Sequence, residues 1–301
     1  MRIFITGGSG FIGRHLVSKL VSGKHNLLLL SNNPDSYKTK HSKKITYLKG
    51  NLKEISSWGN ELSEFKPEAV IHLAWEGIPD YGISMSKRNF TYSKKLFELS
   101  AKVGCKKIIS VGSAWEYGDA SGAVKESDSR KPPHQPVVSF VEAKNQIKLT
   151  GERISDEFGI QFIWAILFFV YGPRQKSASL IPFLISQYNK KSLPIIKNKK
   201  GGNDFIYVDD VVSAINALLL RCKKQKEVYN IGAGYLTSVA KINNIVAKEF
   251  GMSKRMKEPP KITGFYANIL KIKKDVGWKP KFSIEQGVDR TIKNFKNENK
   301  K

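Results

Sequence analysis

Apolar positions in this chain keep two alternating rhythms: short continuous runs, and longer segments of helical period. Arg2 to Thr6 and Asn26 to Leu30 (Asn-Leu-Leu-Leu-Leu) are continuous runs, the pattern of parallel strands buried on both faces. Ile45 to Leu48, Ala69 to Leu73 and Lys107 to Val111 repeat it, and the longest run, Phe162 to Tyr171, marks a strand from Gln161 to Tyr171. Between them, Leu16, Val17 and Leu20 mark one face of a helix, and further helical stretches cover about 84–103 and 139–158. Strand and helix in alternation predict an α/β fold built on a doubly wound parallel sheet. After Tyr171-Gly172-Pro173 the rhythm loosens. A helix is expected to open at Asp209 or Asp210, both good N-caps, and Tyr229 to Gly232 is a short strand before a final helix. The expected organisation is a sheet domain over 1–170 plus roughly 203–232, with a smaller lobe from 171–202 and 233–301.

The first strand runs directly into Gly7-Gly8-Ser9-Gly10-Phe11-Ile12-Gly13-Arg14. Gly8, Gly10 and Gly13 keep the G-x-G-x-x-G spacing at a strand-to-helix junction. Such glycines permit a tight turn, let the backbone approach a pyrophosphate, and let helix and strand pack closely. The free N–H groups of the helix N-terminus then face the phosphates. The segment therefore predicts a dinucleotide site.

Composition narrows the picture further. A chain of 301 residues is large enough for a full core, and the run at 162–171 is too short to span a bilayer. The chain opens in its first strand, so no leader is expected. Cys105 and Cys222 are the only cysteines and have no metal-ligand spacing, so neither a disulfide framework nor a metal site is expected. These features point to the cytoplasm, with no membrane partner. The formal net charge of +25 invites a nucleic-acid reading. Yet only nine of the 51 basic residues are arginine, and the lysines are scattered rather than gathered on one element or interleaved with aromatics. No nucleic-acid partner is expected, although the charge would attract anionic substrates.

With these segments in place the chain resembles the extended short-chain dehydrogenase/reductases, the branch that acts on nucleotide sugars. Thr6 to Gly13 is similar to the family's T-G-G-x-G-F-I-G loop, His72-Leu73-Ala74 to its H-L-A segment, and Ser113 to Gly118 to its S-x-x-x-Y-G segment. Tyr171-Gly172-Pro173, Asp204 to Asp210, Asn230-Ile231-Gly232 and Gly277-Trp278-x-Pro280 follow in the family's order. The resemblance implies a Rossmann-type sheet, hydride transfer between a nicotinamide and a sugar carbon, and a homodimer paired through the helices near 84–103 and 139–158. It also implies that Ser113 holds the reacting oxygen, and that Lys144 holds the nicotinamide ribose and supplies positive potential. The cofactor contacts it implies are Gly7, Gly10, Phe11, Ile12, Gly13, Arg14, Ser31, Asn32, Asn51, Leu52, Leu73, Ala74, Trp75 and Lys144. The substrate contacts it implies are Ser113, Ala114, Trp115, Phe169, Arg174 and Ile181.

Departures from the family pattern carry as much information. The family's Tyr-x-x-x-Lys puts phenol and ammonium on one helical face. Here Phe140 stands four residues before Lys144, and a phenylalanine exchanges no proton. Three explanations stand: an active enzyme with another proton donor (water, Tyr117, Glu142, His134 or Tyr81), a variant engineered to trap substrate, or a quiet binder. Ile166, Phe169 and Asn203 occupy positions where relatives carry Arg, Asn and Arg, leaving Arg174, Lys176, Lys199 and Lys200 as candidates for a diphosphate. Ala114 and Trp115 replace the Asp-Glu pair of the 4,6-dehydratases. Reduction of a 4-keto-6-deoxy sugar at C4 is the preferred expectation, with 4-epimerisation second. The second strand ends Ser31-Asn32-Asn33 without a carboxylate for the ribose 2′-OH, and Arg14 and Lys38 are close in sequence, which favours NADP(H) over NAD(H).

Overall fold

The computed structural model describes residues 1–34, 42–128, 136–196, 201–252 and 256–298. In chain order the first elements are β1 (Arg2–Thr6), α1 (Phe11–Ser22), β2 (Asn26–Ser31), β3 (Ile45–Lys49), α2 (Ile55–Phe65), β4 (Ala69–His72), α3 (Ile83–Lys102) and β5 (Lys107–Ser113). Next come β6 (Gly122–Val124), α4 (Val138–Phe158), β7 (Gln161–Leu167), β8 (Phe169–Tyr171), α5 (Leu180–Asn189), β9 (Gly202–Asn203) and β10 (Phe205–Tyr207). The last are α6 (Val208–Arg221), β11 (Lys226–Ile231), β12 (Thr237–Ser238), α7 (Val239–Glu249), β13 (Phe265–Ala267), α8 (Leu270–Val276) and α9 (Ile284–Glu298).

Seven strands form one parallel sheet in the order β11-β7-β5-β4-β1-β2-β3, a Rossmann-type arrangement. Its strands read as unbroken apolar runs because each face has its own core. Ile3, Ile5, Leu27 and Leu29 point to the side covered by α1, α6 and α8, while Phe4, Leu28 and Leu30 point to the side covered by α2, α3 and α4. Burying a side chain such as Phe4 or Ile5 completely contributes about 1.5–3 kcal/mol. Lys107 fastens β5 to the end of α6: its ammonium donates to the carbonyls of Leu219 (2.6 Å) and Cys222 (3.1 Å), where the helix leaves acceptors unpaired.

In register, Thr6 lies beside Leu30 and His72, His72 beside Ser110, and Ser113 beside Leu167. The carboxyl ends of the strands therefore share one edge. Strand order reverses at β1, with β2 and β3 on one side and β4 onward on the other, which opens a crevice at that edge.

Two expectations from sequence are corrected here. The run from Gln161 to Tyr171 is two strands, not one. Phe168 donates its N–H to Ile231 and Phe169 to Asp204, so the chain leaves the large sheet and β8 pairs with β10 instead. Hydrophobicity stays high across the break because β7 is buried and β8 is buried or half-buried. The helix near Asp209 begins at Val208, and neither aspartate caps it. Asp210 instead accepts the N–H groups of Lys281 (2.9 Å) and Phe282 (3.0 Å), fastening the C-terminal segment to α6.

A third core gathers Tyr171, Tyr207 and the apolar faces of α5, α7 and α9. Ile272, Val276 and Trp278 pack with the large sheet rather than with this third core, so α8 sits on the sheet. Asp204 links the two parts: it is fully buried and accepts the N–H groups of Ala233, Gly234 (3.0 Å) and Ala267 (2.9 Å). Burial pushes its carboxyl up to about 6, against the opposing pull of these three donors.

Candidate active site

The glycine loop occupies the crevice at the end of β1. Gly7 has φ +74°, and a Cβ there would lie 2.7 Å from the backbone nitrogen of Ala74. A Cβ on Gly13 would overlap the Gly7 carbonyl oxygen and lie 2.7 Å from the Gly8 Cα. The tight turn thus depends on Gly7, and the close packing of helix on loop on Gly13. Gly8 meets only side chains, the nearest at 3.4 Å. No side chain caps α1 at Gly10, so its first N–H groups face the crevice. A cavity of about 550 Å³ adjoins them, bordered by Gly7, Gly10, Ser31, Asn32, Asn51, Leu52, Leu73, Ala74 and Trp75. A loop that tolerates no Cβ at Gly7 or Gly13, beside helix N–H groups that no side chain caps among the described residues, fits a dinucleotide pyrophosphate.

Some expected contacts have other duties. Arg14 donates from Nε to the Ser9 carbonyl at 2.7 Å, bracing the loop rather than bordering the cavity. Phe11 packs toward the third core, edge-on to His15. The Asn51 side chain accepts the N–H groups of Lys53 and Glu54 as a helix cap. Lys38 lies outside the described residues. Arg88, Asn89 and Tyr92 of α3 also border the cavity and were not foreseen, since a polar face on a solvent-side helix carries no mark of its own.

A second cavity, about 520 Å³, shares Leu73 and Trp75 with the first. Ser113, Ala114, Trp115, Phe140, Lys144, Phe169 and Ile181 border it, as does Ile12 from the loop helix. Ser113 ends β5 and caps a short 3-10 turn: its hydroxyl accepts from the Trp115 N–H at 3.3 Å, and the Glu116 carboxylate accepts from the Ser113 N–H at 2.8 Å. With a lone pair so engaged, the Ser113 proton is the half available to a ligand oxygen. Glu116 is fully buried and also accepts from the Trp164 indole N–H. A Cβ on Gly112 would overlap both groups, so glycine is required there for them to close behind the serine. Glu116 was missed from sequence, although Ser113-x-x-Glu116 is a capping-box spacing.

Lys144 is 6 % exposed. Its ammonium donates to the Val111 carbonyl at 2.8 Å and lies 4.4 Å from the centre of the Trp75 ring. Burial pulls its pKa down to about 8, and the nearby Glu116 carboxylate limits the fall. One turn earlier, Phe140 sits edge-to-face with Trp75 (4.7 Å), Tyr81 (5.4 Å) and Trp115 (5.8 Å). Of the alternative donors, the Tyr117 phenol is buried and donates to Asn230 at 2.7 Å, and Glu142 faces solvent. His134 lies outside the described residues, and Tyr81 borders the cavity. Arg174 is half-exposed and paired with Glu298 at 2.9 Å, away from the cavity lining where it was expected. Lys176 donates to the Ile78 carbonyl, and Lys199 and Lys200 lie outside the described residues.

His72 ties the site together from behind. Its ring bonds Thr6 Oγ1 (2.7 Å) and Ser93 Oγ (2.8 Å), joining β1, β4 and α3. Burial, and then the charge of Lys144, lower its pKa from 6.5 to about 3. The unfolded chain takes up this proton first. The stability from neutral His72 is therefore complete above pH 6.5 and is lost as pH falls toward about 3. Wild type should lose stability more steeply than His72→Gln below about pH 6, by roughly 1 kcal/mol per pH unit. Asp204, whose raised pKa acts in the opposite sense, is common to both proteins and cancels. Urea midpoints of the two proteins across this range provide the check, and parallel curves would refute a neutral buried imidazole.

Comparison with known proteins agrees with this geometry. A family described as "NAD dependent epimerase/dehydratase family" matches residues 3–232. A putative UDP-glucose 4-epimerase of Methanocaldococcus jannaschii is 30% identical, with 99% of each chain covered. The dTDP-4-dehydro-6-deoxyglucose reductase of Escherichia coli is 26% identical over 98% of this chain and 97% of its own length. The solved UDP-glucose 4-epimerase of Thermotoga maritima, with UDP-glucose, has a TM-score of 0.83 at 25% identity and 99% coverage of each chain. Crevice, glycine loop and end-to-end likeness agree: the chain belongs to the NAD dependent epimerase/dehydratase family of nucleotide-sugar enzymes.

Proposed function

We propose that this chain carries out oxidation and reduction at C4 of a nucleotide-activated sugar, with a nicotinamide dinucleotide held on the glycine loop. The observation that carries the reading is the cavity in which Ser113 and Lys144 meet beside that loop. When bound, the nicotinamide supplies or accepts hydride at the sugar carbon. Ser113 donates its free proton in a hydrogen bond to the C4 oxygen and stabilises charge developing there. Lys144 holds the ribose hydroxyls and keeps positive potential under the reacting carbon. Ala114 and Trp115 offer neither acid nor base, which argues against 4,6-dehydration.

Between the two C4 reactions, the names of the M. jannaschii and T. maritima relatives support 4-epimerisation. Reduction of a 4-keto-6-deoxy sugar is the second reading, supported by Phe140, because reduction needs only one-way proton delivery, and by the name of the E. coli relative. We assign the sugar-binding part to 171–202 and 233–301, with α8 on the sheet. A dimer through α3 and α4 is part of the same reading. The uncharged end of β2 supports NADP(H) over NAD(H), a preference to be tested by calorimetric titration of both.

Purified protein incubated with UDP- and dTDP-linked hexoses and their 4-keto-6-deoxy forms decides the reaction. Epimerisation yields the C4 epimer with no net change in reduced-cofactor absorbance. Reduction consumes one reduced cofactor per sugar. The absence of both signals across such a panel would overturn the reading.

A further inference from the structure

The cavity has a reacting-oxygen donor and a buried ammonium but no hydroxyl on the helix face where the family pattern expects one. Apart from Tyr81, the phenols and carboxylates on or around the cavity are engaged elsewhere or turned away, Glu116 among them through its bonds to the Ser113 and Trp164 N–H groups. Tyr117 is fully buried and bonded to Asn230, Tyr171 is 2 % exposed with its hydroxyl directed to the Ile284 carbonyl, and Glu142 faces solvent. Lys144 is engaged with the Val111 carbonyl and the Trp75 face, and loss of its proton would leave the buried Glu116 carboxylate without a cation.

Tyr81 differs from all of these. Its ring borders the same cavity as Ser113 and Lys144, packs edge-to-face on Phe140 at 5.4 Å and on Trp115 at 5.2 Å, and its hydroxyl has no partner among the described residues. The segment that carries it is pinned at several points. Asp80 donates its N–H to Gly77, the Gly82 N–H is held by the Asp80 carboxylate, and Lys176 grips the Ile78 carbonyl at 2.7 Å. The phenol thus stands one ring away from the position that Phe140 leaves without a hydroxyl. Burial raises its pKa, so it holds a proton at neutral pH.

We propose that Tyr81 is the catalytic acid of this site, taking the part that a hydroxyl at Phe140 would have played. The proposal rests on the C4 oxidation–reduction reading. In the reducing direction the substrate carbonyl carbon gains a hydride from the reduced nicotinamide dinucleotide, and its C–O double bond becomes single. The carbonyl oxygen takes the proton of Tyr81 as the phenol O–H bond breaks. The sugar is reduced, the dinucleotide is oxidised, and the phenolate is reprotonated by water. Oxidation of the alcohol runs the same transfers backwards.

The test uses the full-length protein as wild type, Tyr81→Phe, and the double variant Tyr81→Phe/Phe140→Tyr. Removal of a positioned acid lowers turnover by about 10²–10⁴-fold. Tyr81→Phe is therefore expected to lose at least about 100-fold in kcat, with dissociation constants for NAD(P)+ and for UDP, read by calorimetry, within about threefold of wild type. The double variant is expected to recover at least about tenfold, since it returns a phenol to the cavity from the neighbouring ring. Turnover of Tyr81→Phe equal to wild type would overturn the assignment while leaving the C4 reading intact. So would a loss that comes with weakened binding, or one that Phe140→Tyr leaves unrepaired. A wild type that binds both ligands and turns over no sugar would overturn both.

Discussion

Lys144→Met is expected to cut turnover by about 10²–10³-fold and, at the same time, to make the protein more stable. The two effects have one cause. The ammonium is buried under the Trp75 ring with the Val111 carbonyl as its hydrogen-bond partner among the described residues, and its pKa falls to about 8 from 10.5. A cationic group whose folded pKa lies below its unfolded one costs stability wherever the unfolded chain binds the extra proton. That cost is absent above pH 10.5, grows as pH falls toward 8, and is constant below. At neutral pH it comes to about 3 kcal/mol, part of which the lost bond to Val111 and the stranded Glu116 carboxylate offset. A net gain of about 1 kcal/mol, read as a higher Tm at pH 7 that narrows toward pH 10, is the expected outcome. Methionine matches the stem in length, so the cavity stays filled. A variant that is inactive and less stable than wild type would show that the lysine holds the fold rather than the ligand.

Gly13→Ala is expected to weaken dinucleotide binding by about 100-fold and destabilise the chain by about 3 kcal/mol. The added Cβ would meet backbone on every side: the Gly7 carbonyl oxygen, and the Gly8 Cα and carbonyl carbon at 2.7 and 2.8 Å. Backbone cannot turn aside as a side chain can, so α1 must withdraw from the loop and take its N–H groups with it. Gly8→Ala is the contrast, since its Cβ would meet Leu29 and Val17 side chains at 3.4 and 3.5 Å, ordinary contact distances. Its stability should stay within about 0.5 kcal/mol of wild type. Calorimetric titration of NAD(P)+ and thermal melts of the two variants check both statements. Equal behaviour of Gly8→Ala and Gly13→Ala would mean that the loop is not held by close packing.

Much of the site was legible before any coordinates because it depends on local rules. Continuous apolar runs at Arg2–Thr6 and Asn26–Leu30 demand a strand buried on both faces, and glycines at a strand-to-helix junction demand a phosphate-sized approach. The spacing of Phe140 and Lys144 placed both on one helical face, and the missing hydroxyl could be read directly. The run through Tyr171 misled because hydropathy reports burial and not the partner strand, which changes at Phe168. Asp209 and Asp210 misled because an acidic pair at a helix start looks alike whether it caps its own helix or, as Asp210 does, receives a distant segment.

By itself, then, the sequence determined the class of fold, the ligand class of the first loop, and the absence of the expected phenol at Phe140. The strands, the helices and the loop's ligand class follow from neighbours within a few residues, the fold class from the alternation of those elements, and the expected phenol from the family pattern that the chain resembles. Only the tertiary structure decided which other groups share that space. It withdrew Arg174 to Glu298 and sealed Tyr117 against Asn230. It also buried Glu116 behind Ser113 and brought Tyr81, from the segment before α3, against the Phe140 ring. Those outcomes join residues tens of positions apart or more, apart from the local pair of Ser113 and Glu116. They are set by how sheet, helices and loops close on one another, which no local pattern records.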